Sequence, residues 1–363
     1  MGFNCGIIGL PNVGKSTIFN AMTAAGAEAS NYPFCTIDPN VGMVPLRDPR
    51  IYKLSSLVKP DKVVPTAVEF VDIAGLVKGA SKGEGLGNQF LGHIRAVDTI
   101  AHVVRCFEDP NIVHVEGRVE PKGDIEVIET ELILSDLDSV MKRVERASKL
   151  AKQGDKASQE ALPIYQALQK ALEEGRPARS ILTSDTALLV KDMNLLTSKP
   201  IIYVANVGED DLMGSSPAAR AVKETAGKEG AGFVAICGKI ESEIAELSEE
   251  ERGGFLKGLG LAESGLDRLA SAAYKLLGLV TFFTAGKKEV RAWTIVNGAK
   301  APQAAGVIHS DFERGFIRAE VISYKDFMTY GSEAACREKG LLRVEGKDYA
   351  VKDGDIMHFR FAV

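Results

Sequence analysis

Short apolar runs alternate with longer stretches of helical spacing through the first third of the chain, and the alternation returns near residue 200. Phe3 to Ile8, Val64 to Val71, Thr99 to Phe107, Pro200 to Asn206 and Gly232 to Ile236 are rich in β-branched residues and read as strands. Continuous apolar runs of this kind suit strands covered on both faces. Thr17 to Ala24 reads as the opening of the first helix. Strands alternating with helices predict an α/β fold, a doubly wound, mostly parallel sheet with helices on both faces.

From about residue 124 to 190 the strand rhythm stops. Leu137, Met141, Val144 and Ala151 repeat at helical spacing, and Ala161, Tyr165, Leu168 and Leu172 do so again after the turn-prone Gly154-Asp155. Two facing stripes predict an antiparallel coiled-coil hairpin. From about Gly278 short strands resume, at Glu289 to Val296 and Phe316 to Ser323. Ser332 to Gly340 looks helical, and Leu342 to Val351 looks like a hairpin around Glu345-Gly346-Lys347. A last strand, Ile356 to Phe361, follows Asp353-Gly354-Asp355, and the whole reads as a small α+β unit. The expected division is an α/β domain at 1–130 and 195–277, a helical insertion at 131–194 and a C-terminal unit at 278–363. No internal repeat or low-complexity tract interrupts it.

Composition narrows the class. The chain has 363 residues, 45% hydrophobic and 26% charged, enough for two or three packed cores. A formal charge of −5 argues against wholesale coating of nucleic acid and leaves room for a local basic patch. The first arm of the hairpin carries one: Lys142, Arg143, Arg146, Lys149, Lys152 and Lys156 lie outward. That face is either simply solvated or binds RNA. No apolar stretch of about 18 residues predicts a membrane span. The first residues lack a signal-peptide pattern, and Gly6 stands where myristoylation wants Ser or Thr. Five scattered cysteines, at 5, 35, 106, 237 and 336, form no CxxC pair. They suit reduced thiols and a cytoplasmic location. A monomer is expected.

The chemistry begins at Gly9 to Ser16, Gly-Leu-Pro-Asn-Val-Gly-Lys-Ser, which fits the phosphate-binding loop GxxxxGK[ST]. It stands between a strand end and a helix start, where backbone N–H groups and the helix dipole favour an anionic oxygen. Asn12, Val13, Gly14, Lys15, Ser16 and Thr17 are the expected phosphate contacts, with Lys15 on the β/γ-phosphates and the Ser16 hydroxyl on Mg²⁺. Asp72, ending a strand in Asp72-Ile73-Ala74-Gly75, is the expected anchor of the Mg²⁺ site, and the Gly75 amide a sensor of the γ-phosphate. Thr36, between the first helix and the next strand, is placed to complete the metal shell. Six glycines from Gly75 to Gly92 predict a segment that orders only when phosphate contacts compensate its entropy.

The base side is unusual. Guanine readers carry Asn-Lys-x-Asp, whereas this chain has Asn206-Val207-Gly208-Glu209. The longer Glu209 displaces a bidentate contact to guanine by about an ångström, worth on the order of 1–3 kcal/mol. Adenine loses nothing by the change, and Asn206 can offer its amide oxygen to an exocyclic amine. The site is therefore read as tolerant of ATP, with GTP weaker, and with Cys237 and Gly238 in the second base-side loop. Leu76 stands where related hydrolases hold a water-orienting Gln, so slow turnover is expected. His114, in a loop after the Thr99–Phe107 run, is the candidate water-orienter; the alternative is an exposed loop histidine. Asn12 is also a candidate to help hold K⁺.

These motifs together resemble the Obg-related translation-factor GTPases, and within them the YchF family, also called Obg-like ATPases. The residues that carry the resemblance are Gly9–Thr17, Asn31–Pro39, Asp72–Gly75 with Leu76 and the glycine run, and Asn206–Glu209. The stretch Glu289–Val363 is similar to a TGS domain, a β-grasp module of RNA-associated proteins. The resemblance implies a P-loop NTPase domain interrupted by a helical hairpin, ATP preferred over GTP, Mg²⁺, and association with ribosomes or RNA. Two other readings stay open: a GTPase in which Glu209 still reaches guanine, and a nucleotide-gated RNA- or ribosome-binding module whose hydrolysis is incidental.

Overall fold

The computed structural model describes residues 3–28, 40–73, 86–112 and 117–362. Its strands are β1 (Asn4–Ile8), β2 (Val41–Pro45), β3 (Lys62–Val64), β4 (Ala67–Asp72), β5 (Thr99–Arg105), β6 (Ile201–Asn206) and β7 (Gly232–Ile236). Five more follow: β8 (Leu279–Ala285), β9 (Glu289–Val296), β10 (Phe316–Ser323), β11 (Arg343–Glu345) and β12 (Asp355–Phe361).

They form two sheets. The first has the order β2-β4-β1-β5-β6-β7. Every neighbour in it is parallel except the edge strand β2, antiparallel to β4. All of β5 and β6 is buried, as central strands under helices on both faces must be. From β1 the chain first builds outward to β4 and β2, then returns to the other side for β5 to β7. The carboxyl ends of β1 and β5 therefore flank a topological switch point, where α/β sheets open a crevice.

The hairpin forms from Pro121–Lys152 and Lys156–Glu173. Gly154 turns the chain at φ +92, and the Asp155 carboxylate caps the second helix by accepting from the Ser158 N–H. Its root, at Ile125, Ile128 and Leu132, is sunk in the core of the first sheet. Further out, Ile133, Val140 and Ala147 pack on Ala161, Tyr165, Leu168 and Leu172. Met141, expected in the stripe, is 50% exposed. Val140 takes its place because Ile133, Leu137, Val140, Val144 and Ala147 keep a four–three spacing.

The second sheet runs β11-β10-β12-β8-β9-β3. The antiparallel pair β8–β9 is followed by the helix Ala301–Ile308 across one face, and β12 lies between β8 and β10, parallel to β8. That is a β-grasp arrangement, as the tail led us to expect. Its expected hairpin at Leu342–Val351 does not form. The return stretch instead bonds to the start of the helix, with Ala301 N–H to Tyr349 O at 2.9 Å and Val351 N–H to Ala299 O at 2.9 Å.

The single strand expected at Val64 to Val71 is also broken. Pro65 has no N–H to donate, and β3 and β4 on either side of Pro65-Thr66 belong to different sheets. β3 pairs with β9, and the helix Pro49–Val58 lays Ile51 and Leu54 against Phe283, Val290, Ile322, Phe327 and Ile356. Arg50 ties its start across, donating to Asp353 Oδ2 at 2.6 Å while Asp353 Oδ1 accepts from Thr281 N–H at 2.9 Å. Residues 49–64, placed within the first domain by sequence, thus form part of the C-terminal core.

Candidate functional site

The loop after β1 gains its shape from three residues. A Cβ at Gly9 would sit 2.7 Å from the Val103 carbonyl oxygen. Gly14 has φ +88, and a Cβ there would meet Asn206 Nδ2 at 2.0 Å. Asn12 takes φ +61, a left-handed conformation that Asn tolerates better than most side chains. The helix then starts at Lys15, two residues earlier than the sequence suggests, so Lys15 and Ser16 lie in its first turn. The leading N–H groups of that turn have no intrahelical acceptor. Ser16 and Thr17 are exposed, whereas Val13 is buried and pegs the loop to the core.

Lys15 forms an ion pair with Asp72 at the end of β4, on the far side of β1 from the base loops. The expected cation and the expected metal anchor therefore meet without any ligand. Asn12 and Gly14 to Thr17 line one cavity of about 1010 Å³ together with Asn206, Val207, Glu209, Cys237 and Gly238. That is the size of a small-molecule site, roughly 300–1,000 Å³.

Asn206 has a part that the sequence did not suggest. It is 4% exposed; its amide donates to Val13 O at 2.8 Å and its oxygen accepts from Gly238 N–H at 3.0 Å. The flipped amide would set two donors face to face at Gly238, so this orientation is the satisfied one. Asn206 braces the phosphate loop against the loop after β7, and the oxygen expected to read an exocyclic amine accepts, from Gly238, one of the two hydrogen bonds it can take. Val207 and Cys237 turn their side chains into the core, leaving main chain toward the cavity. Burial pushes the Cys237 thiol up, away from thiolate. Glu209 stays at the rim, where Oε1 pairs with Lys239 Nζ at 2.5 Å.

Two wall-builders escaped sequence reasoning. Arg105, 1% exposed, donates to three main-chain oxygens: Phe107 at 3.2 Å, Ile112 at 3.0 Å and Asp109 at 3.3 Å. Phe107 and Ile112, held this way, line the cavity opposite the base loops. Asp211 accepts from Ser215 N–H at 2.6 Å and Ser216 N–H at 2.9 Å, fixing the turn after Glu209. Burial raises its pKa, and the hydrogen bonds from Ser216 and Ser215 outweigh that, bringing it to about 2. A buried arginine at a strand end and an Asp-x-x-x-Ser-Ser spacing were the available signals. His102 points into the core, 2% exposed, as its strand position suggested. Thr36, Gly75, Leu76, the glycine run up to residue 85, and His114 lie outside the described residues.

Comparison with known proteins agrees with this geometry. A family model described as "50S ribosome-binding GTPase" matches residues 4–158. The YchF-GTPase_C model, described as "Protein of unknown function (DUF933)", matches residues 279–362. The chain is 59% identical to the ribosome-binding ATPase YchF of Bacillus subtilis (strain 168), over 100% of both chains. It is 56% identical to the protein of that name from Escherichia coli O157:H7, again over 100% of both. The solved structure of the Schizosaccharomyces pombe YchF GTPase superposes with a TM-score of 0.90 at 39% identity, covering 99% of this chain and 98% of that one.

Proposed function

The chain belongs to the YchF family, and from that membership we propose a nucleotide-driven switch that binds and slowly hydrolyses ATP in association with the ribosome. It is a P-loop nucleotide hydrolase. The observation that carries the ATP reading is one cavity lined both by Lys15, which pairs with Asp72, and by a Glu209 already held by Lys239. Guanine would have to draw Glu209 away from Lys239 to gain its two donor contacts; adenine makes no such demand.

The roles follow from the donor set. Lys15 would leave Asp72 for the β/γ-phosphates, and the first N–H groups of its helix would hold phosphate oxygens. A divalent ion fits here because the Ser16 hydroxyl and the Asp72 carboxylate flank Lys15, both oxygen donors of the kind Mg²⁺ prefers. Two protein oxygens make no cage, so such an ion would take the rest of its shell from phosphate and water. When bound it supplies positive charge to a developing phosphate oxyanion. Asn12 could add a K⁺ contact. Thr36 and Gly75 are assigned to the metal shell and the γ-phosphate, and His114 to the water. Work on the ribosome implies a cytoplasmic site of action, and no described helix is long and apolar enough to cross a membrane.

Titration with fluorescent ATP and GTP analogues tests the reading: ATP should bind more tightly, and GTP binding at least as tight would overturn the ATP assignment. Lys15→Ala should abolish turnover. His114→Ala should slow it while sparing ATP affinity, and an unchanged rate would dismiss that histidine.

A further inference from the structure

One face of the C-terminal sheet is covered by two helical segments with a gap between them. Residues Pro49–Val58 lie over β8 and β9, while the short helices Tyr324–Tyr330 and Glu333–Glu338 cover the β10 side. Between Leu57 and Val58 of the first segment and Phe327 and Ala334 of the second opens a cavity of about 400 Å³. Ile322 of β10 and Ile356 of β12 also line it. Its volume falls in the range of small-ligand and side-chain pockets, roughly 300–1,000 Å³.

Leu57 lines this cavity and is 40% exposed. Its helix does not need it for the core, because Ile51 and Leu54 already form the buried face. A lone exposed leucine is ordinary. This one continues an apolar wall of Val58, Leu342 and Phe327 out to solvent, which is the anatomy of a socket rather than of a scattered surface residue.

The charges around the cavity sort into matched and unmatched. Glu320 accepts from Arg360 at 3.2 Å, and Glu333 accepts from Arg337 at 2.9 Å. His358 faces Glu320 across the β10–β12 ladder. Lys287, also in the lining, is exposed and has no ionic partner among the described residues. It stands in the β8–β9 turn, which the chain before β3 clamps: the Asp61 N–H donates to Lys287 O at 2.9 Å and the Lys62 N–H to Lys288 O at 3.2 Å. Lys59, Lys62, Lys287 and Lys288 thus gather beside the cavity against two acids, Asp61 and Glu289, in a chain whose formal charge is −5.

We infer that this cavity is a docking site for a protein segment carrying one bulky apolar side chain flanked by acidic residues. The apolar side chain fills the cavity, and the carboxylates beside it meet the lysines around Lys287. The buried anchor supplies the affinity, and charge complementarity selects the partner and steers its approach. A nucleic-acid base suits the cavity less well. Bases are held by stacking on open aromatic faces, and Phe327 in these walls is 5% exposed. The carboxylates that could accept from a base's amino group are already engaged by Arg360 and Arg337. The site stands apart from the ATP reading, because it lies on a sheet that shares no strand with the phosphate loop.

Fluorescence anisotropy with the full chain tests this. The probes are fluorescein-labelled heptapeptides, Glu-Asp-Glu-X-Glu-Asp-Glu, with Phe, Trp, Leu or Ala at X, and a version of the Phe peptide with Lys in place of every acid. A bulky X should bind, Ala should weaken binding by about tenfold or more, and the lysine version should not bind. Leu57→Glu should weaken the bulky peptides by about tenfold, and Lys287→Glu should weaken them and flatten the salt dependence. Melting temperature and ATP affinity should match wild type in both variants, since both side chains are exposed. Failure of every bulky peptide to bind more tightly than about 1 mM would overturn the site. Equal affinity for the Phe and Ala peptides would reduce the contact to charge attraction and overturn the anchor. Unchanged affinity in both variants would put the peptide elsewhere and overturn the assignment. A labelled single-stranded RNA that displaces the peptide, and that itself loses affinity in both variants, would give the cavity to nucleic acid and overturn the protein occupant.

Discussion

Leu54→Ala is the sharpest test of the fold, because sequence and structure assign residue 54 to different cores. Leu54 is fully buried in a cluster with Phe283, Val290, Ala292, Ile322, Phe327 and Ile356 of the C-terminal unit. Truncating a fully buried leucine costs about 2–5 kcal/mol through lost transfer energy and the cavity left behind. A cost of about 3 kcal/mol, within that range, corresponds to a roughly hundredfold larger opening constant. That opening should be local to the C-terminal core, whose strands lie in a separate sheet from β1 and β4. Hydrogen exchange followed by mass spectrometry on the full chain reads it directly. Amides of β3, β8, β9 and β10 should exchange roughly a hundredfold faster, while β1, β5 and β6 keep their protection and ATP affinity stays near wild type. Faster exchange in β1, β5 and β6 with an unchanged C-terminal sheet would refute the assignment of this segment.

Asn206→Ala leaves the Gly238 N–H and the Val13 carbonyl without their present partners, at about 1–3 kcal/mol for each buried group that stays unsatisfied. Affinities for ATP and GTP should fall together; a change in their ratio would show that Asn206 reads the base. The pH dependence of stability should carry a mark from His102. Burial, with help from the Arg179 charge, lowers its pKa to about 3, so the folded chain keeps it neutral while the unfolded chain protonates it near the ordinary 6.5. Stability present above about pH 6.5 is therefore lost as pH falls from there toward about 3. His102→Leu should flatten that limb, measured as urea midpoints at pH 7 and 5; equal pH slopes in both proteins would dismiss the histidine.

The turn and helix start at Gly9–Ser16 and the strand ends at Asp72 and Asn206 were legible because each is local: a few residues whose types dictate a turn, a helix start or a strand end. The central sheet was legible for the same reason, since buried strands announce themselves as apolar runs. What failed was pairing. Val64 to Val71 reads as one strand, and nothing within it says that Lys62–Val64 will pair with Glu289–Val296. Choosing Val140 over Met141 required knowing which face meets the second arm, and neighbouring apolar residues leave that register open. The bracing part of Asn206 was not legible, because it depends on Val13 and Gly238, which are remote from it in sequence and close only after folding.

The misplaced segment gives β4 a position that neither domain alone would suggest. Its last residue, Asp72, pairs with the phosphate-loop lysine. Five residues earlier, roughly 17 Å away, the strand begins at Ala67, directly after Thr66. Thr66 is held from both bodies: its carbonyl accepts from the Leu46 N–H at 2.8 Å, and its hydroxyl lies 2.6 Å from that of Thr294 on β9. If Lys15 exchanges its carboxylate for phosphate, as proposed above, an attraction acting on one end of β4 is removed. The other end is fastened to the C-terminal sheet through β3, Thr66 and the Arg50–Asp353 pair. A strand bonded on both sides along its length, to β1 and to β2, does not absorb such a change by bending freely. The C-terminal unit is therefore fastened to the same strand that ends in Asp72, the partner of Lys15.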